Sequence, residues 1–134
     1  MILVMQSIGL LKRTVINVMD TYLSFYLKNN RIHIFVKALR EIGCPKYICF
    51  MLSEEGNSLL LAPYERKDFH SHRVPATVYN GKGSLELTSI RLCRLLAAEF
   101  NWDCGKSYRV PGKVSKAHGV IAFDLNNARE IEKS

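Results

Sequence analysis

Acidic residues are in short supply in this chain. Twelve Asp and Glu stand against nineteen Lys and Arg across 134 residues, a formal net charge of +7 with histidine neutral. That balance favours anionic partners such as nucleic acid, an acidic protein or a membrane surface. Long apolar runs are missing too. MILVMQSIGLL is interrupted by Lys12 and Arg13, well short of the about twenty apolar residues that a membrane span needs. A secretory leader carries its positive charge ahead of the apolar run, not behind it, and no small-residue cleavage site follows. Cys44, Cys49, Cys93 and Cys104 form no C-x-x-C pair. A chain of this length buries about two-thirds of its unfolded surface and needs no disulfide staples. The expectation is a cytoplasmic protein with reduced thiols and no membrane segment.

Catalytic signatures are also absent. There is no nucleophile elbow, no HExxH and no Walker A loop. Asn80-Gly81-Lys82-Gly83 is too short for a phosphate loop and reads as a hairpin turn. Paired carboxylates are scarce, and Glu54-Glu55 falls on a turn.

What is present is the composition of an ordinary folded chain, 48% hydrophobic and 23% charged. An apolar extension covers residues 1–20, with Met19 offering an alternative start just before the regular pattern. Residues 21–63 then read as strand, strand, helix, strand, strand. TYLSFYL is rich in aromatic and β-branched residues, Lys28-Asn29-Asn30 is a turn, and RIHIF alternates. Val36, Leu39 and Ile42 share one face of a short helix that Gly43 stops. KYICFML and Ser58 to Ala62 are apolar strands around a turn at residues 53–57, the second halted by Pro63.

A charged linker, residues 64–72, leads into the same order over residues 73–125. Arg73 to Tyr79 is a strand that Pro75 demotes to an edge. Ser84 to Leu87 alternates, and Thr88 or Ser89 caps a helix to Phe100 with Ile90, Cys93, Leu96, Ala97 and Phe100 on one face. Lys106 to Lys113 is a strand interrupted by Pro111 and Gly112, and Gly119 to Leu125 is a final strand. The tail, residues 126–134, is polar and reads as frayed. The halves match at a spacing of 53 over the first strand pair (Ile32 with Leu85), 54 over the helices and 61 over the last hairpin (Tyr47 with Tyr108). The economical interpretation is a duplicated ββαββ unit, an α+β fold with a pseudo-two-fold axis.

Arg31, Ile32, Ile34, Leu39, Ile42 and Gly43 stand where the AbrB/SpoVT swapped-hairpin superfamily has its "R-apolar-x-apolar, helix, Leu-Gly" pattern, and the chain resembles that superfamily. Two such units in one chain resemble its tandem, MraZ-like arrangement. Asn29-Asn30 replace the family's acidic residue and Gly, and Ser84 stands where the second unit's Arg would be. The resemblance implies hairpins interlocked in a β-barrel-like body, and basic residues of the first hairpin and nearby loops meeting DNA.

The charges point the same way. Residues 1–53 carry seven positive charges and two negative ones, and Lys106, Arg109, Lys113 and Lys116 lie between Asp103 and Asp124 with no acid among them. Lys28 and Arg31 flank the first hairpin turn, and Arg73 and Lys82 the matching one. These four are the candidate DNA-binding residues, Arg31 the best placed to read a base. The aromatics Tyr22, Phe25, Tyr26 and Tyr79 can stack bases but read first as core. His70 and His72 with Cys44 or Cys49 lack the paired ligand spacing of a zinc site, so no metal or cofactor is assigned.

The function expected is a non-enzymatic, homo-oligomeric transcription regulator that binds double-stranded DNA through basic hairpins. The alternative is a protein-interaction or scaffold module, suggested by the apolar N-terminus. A third, weaker option is a small enzyme using Cys104, His118 and Asp124.

Overall fold

In the computed structural model, residues 21–81 and 83–132 are described. The expected apolar extension, residues 1–20, and Lys82 lie outside them. The elements are β1 (Thr21–Tyr26), β2 (Arg31–Phe35), α1 (Val36–Glu41), β3 (Tyr47–Leu52), β4 (Ser58–Tyr64), β5 (Ser71–Arg73), β6 (Ser84–Thr88), α2 (Ile90–Phe100), β7 (Ser107–Ser115), β8 (Val120–Asp124) and β9 (Arg129–Ile131). The fold is α+β. All nine strands join one antiparallel sheet in the order β5-β3-β4-β8-β7-β1-β2-β6, with β9 on β7. The path curls into a nearly closed, barrel-like body, open between β5 and β6.

Turn chemistry sets the first hairpin. Asn30 takes the left-handed conformation at φ 54°, which Asn tolerates better than most residues, and β1 and β2 pair from Tyr26 with Arg31 onward. Ile32 and Ile34 of β2 face Leu87 and Leu85 of β6 and fill the core, so Arg31, His33 and Phe35 turn outward. The β2–β6 ladder ends in two reciprocal bonds. The Val36 N–H donates to the Gly83 carbonyl, and the Ser89 N–H to the Asn30 carbonyl. Each helix starts at such a bond.

In α1, Val36, Ala38, Leu39 and the capping Ile42 are buried, and Gly43 leaves the helix at φ 92° as expected. Ser89 caps α2 by accepting from the Leu92 N–H. Cys93, Leu96 and Ala97 are buried, but Ile90 is exposed. Past α2, the Trp102 ring stacks on Tyr108 at 4.9 Å and leans on Phe25 at 5.5 Å, closing that end of the core.

Several expectations need correction. Pro63 does not halt β4; the strand continues to Tyr64 because its pairing with β8 has already ended at Leu61, and a residue without an N–H is tolerated there. Pro111 likewise sits inside a continuous β7, in the gap between β9, which pairs up to Arg109, and β8, which pairs from Gly112. Residues 71–73, in part assigned to the linker, are a strand, and Ala76–Asn80 is a 3-10 turn, not strand. The tail is not frayed throughout, since Arg129–Ile131 pair with β7. The β3–β4 turn closes with Ser53 on Ser58, whereas the β7–β8 turn follows the Ser115–Val120 pair.

Gly112 is required by packing. A Cβ there would lie 2.5 Å from the Phe123 ring carbon Cε1. Gly112→Ala is expected to lower stability by about 1–3 kcal/mol, the usual cost of overpacking, read by chemical denaturation. The loss should shrink in a Phe123→Leu background, because the two changes couple.

His72 faces inward with its ring edge-on to Phe50 at 5.8 Å, and burial lowers its pKa below 6.5. The unfolded chain then binds that proton more readily, so stability is fully present above the unfolded pKa and falls as pH drops from about 6.5. Denaturation midpoints across that window should show the decline, and His72→Gln should flatten it.

Candidate nucleic-acid interface

Leu23 and Phe25 fill the core from β1, so Tyr22, Ser24 and Tyr26 face out. Tyr108 and Val110 do the same for β7, so Ser107, Arg109 and Pro111 face out. Strand register then sets these outward residues side by side. Glu86 lies opposite His33, His33 opposite Ser24, Ser24 opposite Arg109, and Arg109 opposite Arg129. The neighbouring row runs Thr88, Arg31, Tyr26, Ser107, Ile131. Lys28, on the turn between β1 and β2, joins Lys106 along a shallow cleft of about 320 Å³ with Tyr26, Ser107, Glu130 and Glu132 in its wall.

The contacts within this patch are specific. Glu86 Oε1 lies 2.6 Å from His33 Nε2 and 3.6 Å from Arg31 Nη1. Arg31 and Glu86 are both about half exposed, so their attraction is weak and solvent-screened. The Tyr26 ring packs on His33 at 4.5 Å. Lys106 pairs with Glu130 at 3.2 Å, and the Glu130 carboxylate holds the lysine's pKa above its ordinary value. The Arg109 guanidinium lies over the Tyr22 ring, 5.3 Å from its centroid, a cation–π arrangement.

Among the described residues, two polar atoms at the centre have no hydrogen-bond partner. Ser24 is 1% exposed, and its hydroxyl oxygen has no hydrogen-bond partner; nor has the buried Nε of Arg109 directly across the ladder. Buried polar groups are normally paired, and leaving one unpaired costs about 1–3 kcal/mol. A hydroxyl and a guanidinium nitrogen side by side, between tyrosine rings, suit an oxygen-bearing anion.

Of the four residues expected to touch DNA, Lys28 and Arg31 are brought together on this patch. Arg73 is not: it stands on β5, opposite Tyr47, at the far end of the strand path and across the opening from β6. Lys82 lies outside the described residues. Arg109, Arg129 and Ser24 were missed as site residues; the one signal was the acid-free stretch that holds Arg109. Among the aromatics, Phe25 is core, and the Tyr79 hydroxyl donates to the Pro45 carbonyl at 2.5 Å, with burial pushing its pKa up to about 12. Tyr22 is exposed and Tyr26 half-buried, both at the patch.

The other candidate chemistries are not assembled. Cys104 precedes β7 and His118 follows it, so they sit at opposite ends of a nine-residue strand, roughly 25 Å apart. The His118 Nδ1 is held by the Ser115 hydroxyl at 2.8 Å, and Asp124 accepts from the Asn126 N–H and the Asn127 amide. All four cysteines are free, Cys44 and Cys104 exposed, Cys49 and Cys93 buried; burial pushes the Cys93 thiol up to about 11. Among the described residues no three His, Cys, Asp or Glu cluster to hold a metal ion, and no helix is long and apolar enough to cross a membrane. Compared with family models, curated proteins and solved structures, the chain matches none.

Ser24→Ala removes a hydroxyl that is buried and unpaired. It should raise the stability of the free protein by about 1 kcal/mol, measured by denaturant titration, while weakening any anion that the patch binds.

Proposed function

We propose that the chain is a non-enzymatic DNA-binding protein whose outer face on β1, β2, β7 and β9 seats the phosphate backbone. The observation that carries this reading is the row His33, Ser24, Arg109, Arg129, with its unpartnered hydroxyl and guanidinium nitrogen. Lys28, Arg31, Lys106, Arg109 and Arg129 outnumber the four carboxylates nearby, Glu86, Asp103, Glu130 and Glu132. The net charge of +7 adds a long-range attraction to any polyanion. Arg31, at the turn end of β2, remains the side chain best placed to reach a base edge while the row beside it holds phosphate.

The same proposal takes the body as two ββαββ units related by a pseudo-two-fold axis, in the swapped-hairpin manner. Its support is reciprocal pairing. Residues 36 and 83 exchange roles with 89 and 30 at a spacing of 53, and the β2–β6 ladder is centred on His33 and Glu86. The β4–β8 ladder is centred on Leu60 and Ala122 at a spacing of 62. The contact of β1 with β7 has its counterpart in β5 with β3. A self-association that doubles this arrangement, and a regulatory role in the cytoplasm, belong to the proposal.

The protein-interaction reading has one feature in its favour. Phe69 is 103% exposed on a turn that Asp68 organises, its carboxylate accepting from the Tyr64 hydroxyl at 2.6 Å and the His70 N–H at 2.7 Å. A rigid, solvated phenyl ring suits a partner's pocket.

A duplex-binding titration at rising salt separates the two. The log of the affinity should fall linearly with log salt, and Arg109→Gln and Arg31→Gln should each reduce the slope by about 1. Arg73→Gln should leave it unchanged, and Phe69→Ser should have no effect. Binding to no duplex, or a salt-independent affinity, would overturn the DNA reading.

A further inference from the structure

The curled sheet stays open between β5 and β6, and the two lips of the opening are unlike. β5 is blunted: it is three residues long, it carries Arg73, and Pro75 follows close behind. β6 is not. Ser84–Thr88 pair with β2 in unbroken register and contain no Pro, Lys or bulge. The ladder also fixes where the β6 backbone points. The bonds from the Val36 N–H to the Gly83 carbonyl and from the Ser89 N–H to the Asn30 carbonyl set its phase. Bonded and non-bonded residue pairs alternate along an antiparallel ladder, so Leu85 and Leu87 exchange bonds with Ile34 and Ile32. The N–H and C=O groups of Ser84, Glu86 and Thr88 point away from β2, along the free edge. Among the described residues nothing meets those groups. Ala76–Asn80, the 3-10 turn that follows β5, is tied elsewhere. Arg40 donates to the Tyr79 and Gly81 carbonyls, and the Tyr79 hydroxyl to the Pro45 carbonyl.

We propose that the free edge of β6 takes an extended peptide of another protein as an added strand, with a basic side chain opposite Glu86 and apolar side chains opposite Leu85 and Leu87. Main-chain bonds to Ser84, Glu86 and Thr88 supply the binding, and the alternating side chains supply the selectivity. The two faces of β6 dictate that alternation. Leu85 and Leu87 pack toward the core, whereas Glu86 lies on the outer face, about half exposed. Glu86 also has an oxygen to spare, since its contacts with His33 and Arg31 both use Oε1. Oε2 is left for a cation on the incoming strand. The same carboxylate argues against a second copy as the occupant. The antiparallel register that uses Ser84, Glu86 and Thr88 together would set Glu86 against its own counterpart, and like charges directly opposite destabilise a sheet. The added strand is independent of whether the neighbouring outer face binds DNA.

Amide signals of the full-length protein provide the test. The probe is the blocked peptide acetyl-Thr-Val-Lys-Val-Thr-amide, titrated to millimolar concentration and followed by NMR. The Glu86 and Thr88 amides should shift and exchange with solvent about tenfold more slowly. The Leu85 and Leu87 amides, already bonded to β2, should change little. In the added strand the lysine amide faces β6 and the valine amides face away. N-methylation of the lysine should therefore abolish the effect, and N-methylation of the valines should leave it. Replacing the peptide's lysine by glutamate should weaken binding up to about fivefold, and Glu86→Gln should remove that preference. No change at Ser84 to Thr88, or equal binding by the peptide methylated at lysine, would overturn the proposal. So would protection of the Glu86 and Thr88 amides that rises with protein concentration in the absence of peptide, because β6 would then pair with a second copy.

Discussion

The ladder between β2 and β6 holds the outer surface in place. It joins segments 53 residues apart, and both helices start where it ends. Closing so long a loop costs conformational entropy, though the cost rises only slowly with length. Ile32, Ile34 and Leu85, all buried, offset it. The ladder also decides which side chains meet solvent. With a period of two, sliding β2 by one residue would drive Arg31, His33 and Phe35 into the core and bring Ile32 and Ile34 out. The apolar requirement of the inner face thus fixes the register, and the register assembles the charged outer face.

Local chemistry made much of this fold legible in the sequence. The turn at Asn30, the helix stop at Gly43 and the cap at Ser89 depend on a few adjacent residues, and each stands where the pattern put it. Proline was misread for a physical reason. Its missing N–H matters only on a side where a partner strand waits, and at Pro63 and Pro111 one of the two sides has none. No pattern within the strand reveals which neighbours it will have. The same holds for the tail, since Arg129–Ile131 carry no apolar alternation and gain their structure from β7.

The candidate site was legible only where it is local. Lys28 and Arg31 flank one turn, and any reading of that turn groups them. Arg109 and Ser24 are 85 residues apart, and a lone serine in an apolar strand announces nothing. Their meeting is a property of the β1–β7 ladder. Arg73 shows the converse: its position before a hairpin-like turn suggested a match to Arg31, but β5 is a three-residue strand at the other end of the path.

A nearly closed sheet has one inner face, and geometry alone demands that it be apolar. Its outer face is free to be polar throughout, which is how a self-sufficient barrel would meet water. This outer face departs from that in two opposite ways. Around Ser24 and Arg109 it withdraws polar atoms from solvent and leaves them unbonded; around Leu60 it presents an apolar surface that is nevertheless dry. Each departure is unfavourable for strands 21–131 taken alone, the first through lost hydrogen bonds and the second through exposed hydrocarbon. The first would be relieved by an oxygen-bearing anion, as the proposed function requires. The second marks the outer face of β3, β4 and β8 as one that, unlike the row on β1 and β7, offers a polyanion nothing to bind.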